Sequence, residues 1–121
     1  DLLKYGYVRR PWLGVEPIPT VYLRRLGLDI PEGMLISRVV RGATAAKAGL
    51  RGATRQVVVG RYQVPWGGDI LTHVNQQPVR TMEELAAQIE TRKAGEVITL
   101  DYIRDNRKES VKATLVLRPR S

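Results

Sequence analysis

Cysteine is absent from the 121-residue chain, and histidine occurs once, as His73. The chain therefore has no means of forming a disulfide, a thiolate metal site or a cysteine nucleophile, and one histidine excludes a two-histidine metal site. Aromatic residues are also scarce, since phenylalanine is missing and two tryptophans stand beside five tyrosines. We therefore expect an aliphatic core, with few rings to stack on nucleic-acid bases.

Long apolar runs are missing as well. No segment approaches the ~18 apolar residues that cross a bilayer, and the N-terminus lacks the pattern of a secretory signal. A content of 43% hydrophobic and 26% charged residues is typical of one globular domain and excludes a disordered or fibrous chain. Because the sequence begins at Asp1, we interpret it as a piece of a longer polypeptide.

The charge is strongly one-sided, at +8 with 20 basic and 12 acidic residues. Most basic residues come singly or in pairs, although residues 34–68 contain six basic residues and no acidic one. This stretch is either a solvated face or a patch for an acidic partner. A basic nucleic-acid-binding β domain is a second hypothesis, and it depends on the net charge alone.

Turn residues and hydrophobic periodicity predict a β-rich domain with one long helix. The predicted helices cover residues 20–26, 43–49 with Thr44 as N-cap, and 82–93. The predicted strands cover residues 33–40 and 69–74, a projecting hairpin at 55–64 around Gly60 and Arg61, and two closing strands joined through Asp105 and Asn106. Residues 75–78 are predicted to form a turn.

The helix at 82–93 has the clearest pattern. Thr81 and Glu84 form a capping-box sequence, and Arg92 and Lys93 precede the stop at Gly95. Its apolar residues recur at i, i+3, i+4 and i+7, which places on one face Met82, Leu85, Ala86 and Ile89.

Residues for catalysis are poorly placed. The serines Ser37, Ser110 and Ser121 do not lie in a nucleophile turn, and His73 is interpreted as a structural residue of a strand. Phosphate-binding and calcium-binding loop sequences are absent. We therefore predict no catalytic residue, no metal site and no cofactor for this chain, which is not an enzyme by itself.

Binding chemistry is present in the sequence Trp12-Leu13-Gly14-Val15. A short apolar-Leu-Gly-apolar loop before a strand can turn successive backbone N–H groups toward one carboxylate. If the 82–93 helix packs beside the strand that follows Gly14, an extended peptide can add to the sheet edge in the gap between them. Main-chain hydrogen bonds and one terminal charge then supply the affinity.

Several further segments occur in a characteristic order: Leu26-Gly27-Leu28, Gly33-Met34-Leu35-Ile36, Gly42 with Ala45 to Leu50, Gly68-Asp69-Ile70-Leu71, Val74-Asn75 and Pro78-Val79. Together with Trp12 to Val15 and the closing hairpin, they resemble a PDZ domain of the circularly permuted bacterial kind. The resemblance is to the PDZ domain that follows the protease domain in HtrA/Deg-type serine proteases.

The resemblance implies a mainly β (α+β) fold: a PDZ-like, partly open β-barrel of five to six strands, capped by one long and one or two short helices, with the 55–64 hairpin as an insertion. It implies a linker from a protease domain at residues 1–10, the PDZ domain at 11–118 and a tail at 119–121. The catalytic residues of the parent protein would lie upstream of Asp1.

The resemblance also implies a site. The backbone of Leu13, Gly14 and Val15 would hold a peptide carboxylate, and Arg9 or Arg10 would add charge nearby. The peptide groove would be lined by side chains of Trp12, Val15, Met82, Leu85, Ala86 and Ile89. An apolar Met82 implies an apolar ligand side chain two residues before the last one.

The implied partners are unfolded or C-terminal peptide segments of substrate proteins and the parent's own protease domain, with a homo-oligomer formed through the parent. Nucleic acid and direct membrane insertion are not expected. The implied location is extracytoplasmic, either periplasmic or membrane-anchored and facing outside. A scaffold or oligomerisation module, with the groove blocked by its own hairpin, is the alternative.

Three positions depart from the family pattern. Thr44 stands where proline is frequent, Gln76 stands where a turn glycine is usual, and the 55–64 hairpin enlarges a loop. The first two leave the local turn geometry open, and the hairpin is a candidate contact surface.

Overall fold

The computed structural model describes residues 10–118, and its secondary structure is mainly β. The strands are β1 (Pro11–Trp12), β2 (Val15–Pro19), β3 (Met34–Val39), β4 (Arg55–Val59), β5 (Tyr62–Trp66), β6 (Ile70–Val74), β7 (Gln77–Pro78), β8 (Val97–Arg104), β9 (Arg107–Thr114) and β10 (Val116–Leu117). The helices are α1 (Thr20–Arg25), α2 (Thr44–Ala48) and α3 (Met82–Glu90).

The main sheet has the strand order β2-β3-β6-β8-β9, with β7 paired to β6. All its pairings are antiparallel, and β2 and β9 are its two ends. Two smaller sheets consist of β1 with β10 and of the β4–β5 hairpin. The mainly β fold with few helices is confirmed, and the sheets remain open instead of closing into a barrel.

The predicted aliphatic core is confirmed. The larger of two buried clusters joins the main sheet to α3 and contains Leu13, Leu85 and Ile89 together with aliphatic residues of β3, β6 and β8. Among the buried apolar residues of 10–118, Tyr102 is the only aromatic residue. The smaller cluster places the β4–β5 hairpin, through Val64, against Leu23 of α1. The hairpin predicted around Gly60 is thus confirmed and anchored at its base.

A buried ion pair connects β6 to the end of β8. Asp69 is 1% exposed and accepts hydrogen bonds from Arg104 Nε at 2.8 Å and Arg104 Nη2 at 2.7 Å. The Arg51 backbone N–H also donates to Asp69 at 2.9 Å, and Arg104 Nη2 donates to the Gly49 carbonyl at 2.8 Å. Hydrogen bonding to Asp69 raises the pKa of Arg104 above its usual value. The pair therefore fixes the loop after α2 to the sheet.

Helix α3 begins at Met82 as predicted, but it ends earlier than predicted and its N-terminal capping box is incomplete. It ends at Glu90 instead of residue 93, and the Thr91 hydroxyl and Arg92 Nε donate back to the carbonyls of Ala87 and Gln88. At its start the Thr81 hydroxyl accepts from the Glu84 N–H at 3.1 Å, as predicted. The Glu84 carboxylate does not complete a capping box, because it binds Arg80, whose side chain lowers the pKa of Glu84.

The predicted turn at 75–78 was too long. Asn75 and Gln76 alone form the connection, with φ of 49° and 70°, and residues 77–78 return as β7 to pair with β6. Asp105 and Asn106 make the corresponding two-residue turn between β8 and β9, as predicted, with φ of 52° and 64°. Gln76 thus holds the left-handed conformation without being a glycine.

Candidate peptide-binding site

The residues between β1 and β2 form a loop that is held by its carbonyl groups. The Leu13 carbonyl accepts from the Ala45 N–H at 2.9 Å, and the Gly14 carbonyl accepts from the Val40 N–H at 2.7 Å. Within residues 10–118, neither the Leu13 N–H nor the Gly14 N–H donates a hydrogen bond. The 12–15 loop therefore presents two successive donors that the fold itself does not use.

Glycine is required at position 14 for two reasons. Its φ is +77°, in the left-handed region that other residues avoid. A Cβ atom built on Gly14 would also overlap the Cβ of Ala43. The close packing of this loop on the segment before α2 therefore depends on the missing side chain.

Thr44 anchors the start of the same loop, a role that the sequence analysis missed. Its hydroxyl donates to the Trp12 carbonyl at 2.7 Å and accepts from the Val116 N–H at 3.0 Å, and the residue is fully buried. The prediction of Thr44 as a helix N-cap was wrong. Ala43 is the N-cap, and Thr44 is the first residue of α2. Its position in place of the family's proline was the available signal, because only a hydroxyl can make both bonds.

Strand β2 continues from the loop along the open side of the main sheet. It pairs with β3 on one side, and within the described residues no strand pairs with its other side, which we call the outer edge. The pairing shifts register between Glu16 and Pro17. Unpaired backbone at a sheet edge is a surface to which another extended chain can add.

Helix α3 packs on the core beneath the loop. Leu85 and Ile89 are 7% and 4% exposed and share the main cluster with Leu13, while Val15 packs against that cluster. Met82, at the start of the helix, is 48% exposed, and Ala86 is partly buried. The structure thus brings Leu13, Val15, Leu85 and Ile89 together and leaves Met82 at the surface.

The flanking residues Trp12 and Arg10 are also placed. Trp12 is partly buried under the Arg118 guanidinium, 5.6 Å from the ring centroid, and its buried indole N–H has no hydrogen-bond acceptor among residues 10–118. Arg10 Nη1 lies 3.0 Å from Glu90 Oε1 at the end of α3. The Arg10 charge is therefore directed to a carboxylate of the domain. Arg9 lies outside the described residues.

The polar groups considered for catalysis have structural partners. Ser37 Oγ donates to the Glu16 carbonyl at 2.8 Å, and Ser110 Oγ donates to Asp101 Oδ1 at 2.8 Å. His73 Nδ1 lies 3.0 Å from Thr72 Oγ1. In the described part of the chain no hydrogen bond joins a serine to His73, and no three acidic or histidine side chains group as a metal site. Ser121 lies outside the described residues.

A cavity of about 400 Å³ lies elsewhere, on β6, β8 and β9. It is lined by charges of both signs, including Glu32, Lys108 and Glu109, and by His73. Strand β3 separates β2 from β6 in the sheet order, so this cavity is not the predicted groove. None of the helices in the described residues is long and apolar enough to cross a membrane.

Residues 11–115, which include the 12–15 loop, β2 and α3, match the family model of the PDZ domain. The chain belongs to the PDZ domain family. This match confirms the predicted fold and its permuted element order, together with the solved structures below.

The curated relatives of this PDZ domain are serine proteases. It is 30% identical over 117 residues to a probable periplasmic serine protease do/HhoA-like from Haemophilus influenzae, covering 95% of the chain and 22% of that protein. It is 31% identical to the chloroplastic Protease Do-like 1 of Arabidopsis thaliana, covering 98% and 26%. It is 27% identical to the periplasmic serine endoprotease DegP of Escherichia coli K12, covering 95% and 22%. The chain thus spans about a quarter or less of these relatives.

Solved structures of HtrA-type proteases share the fold. A serine-to-alanine variant of the HtrA-type protease AlgW with a decapeptide matches with a TM-score of 0.70 and 25% identity, over 98% of this chain and 32% of that chain. AlgW with a tripeptide matches with a TM-score of 0.69 and 24% identity, over 99% and 36%. The predicted resemblance to PDZ domains of HtrA-type proteases is therefore confirmed. The part of those proteases that this chain matches is their PDZ region.

Proposed function

We propose that this PDZ domain captures the C-terminal end of a polypeptide by adding it to β2 as a further strand. The observation that supports this is the pair of unused N–H groups on Leu13 and Gly14 at the head of an unpaired strand edge. Charge-assisted hydrogen bonds from backbone N–H groups are strong, so a carboxylate is the ligand group that these donors favour.

The side chains assigned to the groove divide into two kinds. Met82 is exposed beside the start of α3 and is the side chain we assign to reading the ligand's third residue from the end. Leu85 and Ile89, which are buried, and Trp12 and Ala86, which are partly buried, would form the apolar wall. Charge support from Arg9 or Arg10 stays a prediction, and Arg10 would have to leave Glu90 to provide it.

The function of the whole protein is a wider proposal. Because this chain covers 22 to 26% of the curated serine proteases above, we infer a parent endopeptidase of the HtrA type that acts in protein quality control outside the cytoplasm. Its partners would be unfolded substrate segments, its own protease domain and further copies of the parent. We propose residues 11–118 as the domain, 1–10 as the linker and 119–121 as a tail.

A peptide titration tests the binding function. The 121-residue chain is titrated by fluorescence anisotropy into a labelled decapeptide that ends in Leu-Ala-Val, with either a free carboxylate or a terminal amide. We expect the amide to bind about tenfold to a hundredfold more weakly, since hydrogen bonds to a charged group contribute ~1.5–3 kcal/mol. Equal affinity of the two peptides would contradict the carboxylate site.

A matched pair of variants tests the side-chain assignment. Met82→Ser and Val58→Ser each remove an exposed apolar side chain, 48% and 72% exposed, but Val58 lies on the β4–β5 hairpin. We expect Met82→Ser to weaken the free-carboxylate peptide several-fold and Val58→Ser to leave its affinity unchanged. The opposite order would contradict the assignment of Met82 and would move the binding surface to the hairpin.

A further inference from the structure

Strand β2 carries prolines at positions 17 and 19, and the pairing with β3 shows which way their backbone faces. In an antiparallel ladder, hydrogen-bonded pairs alternate with non-hydrogen-bonded pairs, whose N–H and C=O groups point away from the partner strand. The bond from the Val40 N–H to the Gly14 carbonyl, at 2.7 Å, makes Gly14 and Val40 a hydrogen-bonded position. Val15 is paired with Val39 at the next position of the same register, which is a non-hydrogen-bonded position. The backbone N–H and C=O groups of Val15 therefore point to the outer edge.

The same reasoning applies beyond the register shift, counting back from the other end of β2. The Thr20 N–H donates to the Gly33 carbonyl at 2.9 Å, so this pair is hydrogen-bonded. Pro19 with Met34 and Pro17 with Ile36 then occupy non-hydrogen-bonded positions. The backbone of Pro17 and Pro19 therefore faces the outer edge, as does that of Val15.

The outer edge consequently has fewer hydrogen-bond donors than acceptors. Proline has no backbone N–H, so Val15 offers the last donor along this edge of β2, while the carbonyls of Val15, Pro17 and Pro19 all remain as acceptors. At every hydrogen-bonded pair, a normal edge strand donates one N–H to the added chain and accepts one N–H through its C=O. At Pro17 and Pro19 the edge can only accept.

We propose that the outer edge of β2 is selective for the ligand's N–H groups: at Pro17 and Pro19 it only accepts hydrogen bonds and leaves the ligand's carbonyls unbound, a proposal that rests on the peptide-binding function above. A ligand whose carboxylate meets the 12–15 loop runs antiparallel to β2. Its last residue faces Val15, and its third residue from the end faces Pro17. That third residue donates its N–H to the Pro17 carbonyl, but its own carbonyl receives nothing from β2.

The selectivity follows from the position of the donors. The N–H groups of Leu13, Gly14 and Val15 all lie at the head of the edge, where a terminal carboxylate can use them. Along the rest of β2 the carbonyls of any added strand gain no donor, so the hydrogen bonds there come from the ligand's N–H groups to the carbonyls of Pro17 and Pro19. The same prolines protect the edge from pairing with another sheet, as edge prolines do in natural β-proteins.

Two backbone-ester peptides test the proposal on the unaltered 121-residue chain. The donor ester replaces the N–H of the third residue from the end of the labelled Leu-Ala-Val decapeptide. The acceptor ester replaces the next amide, which weakens the carbonyl of that third residue as an acceptor and removes an N–H that points away from β2. We expect the donor ester to bind about threefold to tenfold more weakly and the acceptor ester to bind within twofold of the parent peptide.

The variant Pro17→Val restores a donor on the outer edge and is the matched protein test. We expect it to bind the parent peptide about threefold to tenfold more tightly, and we expect the acceptor ester to lose that gain. Circular dichroism of the variant is the control that checks whether it is folded.

The outcomes separate the two proposals. If the free-carboxylate and amidated peptides bind equally, the peptide-binding function fails. If the carboxylate is required but the acceptor ester binds as weakly as the donor ester to the unaltered chain, only the acceptor-only edge is overturned. If Pro17→Val binds the parent peptide no more tightly than the unaltered chain does, the acceptor-only edge is likewise overturned.

Discussion

Replacing Thr44 by valine isolates the hydroxyl that anchors the start of the binding loop. Valine keeps the volume of this fully buried side chain but removes the bond to the Trp12 carbonyl at 2.7 Å and the bond from the Val116 N–H at 3.0 Å. At a net ~1 kcal/mol for each bond, Thr44→Val should lower the free energy of unfolding by about 2 kcal/mol. This corresponds to a urea midpoint lower by about 1 M.

Thr44→Ser is the control, because it keeps the hydroxyl and loses only a methyl group, which contributes about 0.8 kcal/mol. Urea unfolding followed by tryptophan fluorescence should therefore rank the proteins as unaltered chain, then Thr44→Ser, then Thr44→Val. The valine variant should also bind the free-carboxylate decapeptide more weakly, since the carbonyl before Leu13 loses its anchor. A valine variant at least as stable as the serine variant would refute the assigned role of the hydroxyl.

Three further substitutions have expected outcomes. Gly14→Ala should lower the free energy of unfolding by about 3 kcal/mol, because it combines a left-handed φ with overlap on Ala43, and it should abolish peptide binding; retained affinity in a titration would contradict the loop geometry. Gln76→Gly should raise the free energy of unfolding by about 0.5–1 kcal/mol, since φ is 70° there, and a lower urea midpoint would count against this. Asp69→Asn should lower the free energy of unfolding by about 3 kcal/mol, because the Arg104 cation loses its carboxylate partner. A loss below about 1 kcal/mol in urea unfolding would show that the buried ion pair contributes little.

The fold was largely predictable because its signals are local. The 3.6-residue spacing of Leu85 and Ile89 marks α3, and β-branched runs between turn residues mark the buried strands. Two-residue turns such as Asp105 with Asn106 set the hairpin register without help from the rest of the chain. These signals predicted the three helices, strands β3 to β6 and the closing pair β8 and β9 in the right order, with ends displaced by a few residues, but they did not predict β1, β7 or β10.

Two errors occurred where a side chain bonded a partner that the sequence motif does not include. Thr44 has the sequence context of an N-cap, but its hydroxyl bonds Trp12 and Val116, which are 32 and 72 residues away. Glu84 has the spacing of a capping box, but the neighbouring Arg80 competes for its carboxylate. For Thr44, the sequence pattern contains no information on the two competing partners, since their proximity depends on which strands meet in space.

The candidate site was predictable in part for the same reason. The Leu13-Gly14 sequence predicts a loop with free N–H groups, and the structure leaves those groups without acceptors in the described residues. The facing of Pro17 and Pro19 was not predictable, because it depends on the phase of the ladder with β3 and on the register shift at Glu16.

The pairing of β1 with β10 determines how the domain joins the rest of a polypeptide. The Arg118 N–H donates to the Arg10 carbonyl at 2.8 Å, so the chain enters and leaves the domain side by side. The entry strand reaches Leu13 one residue after Trp12, with no intervening hinge segment. Neighbouring domains attached at either end would therefore share one attachment site. A force applied at that site would reach the N–H groups of the 12–15 loop, where we propose that the ligand binds, through the short β1–β10 sheet.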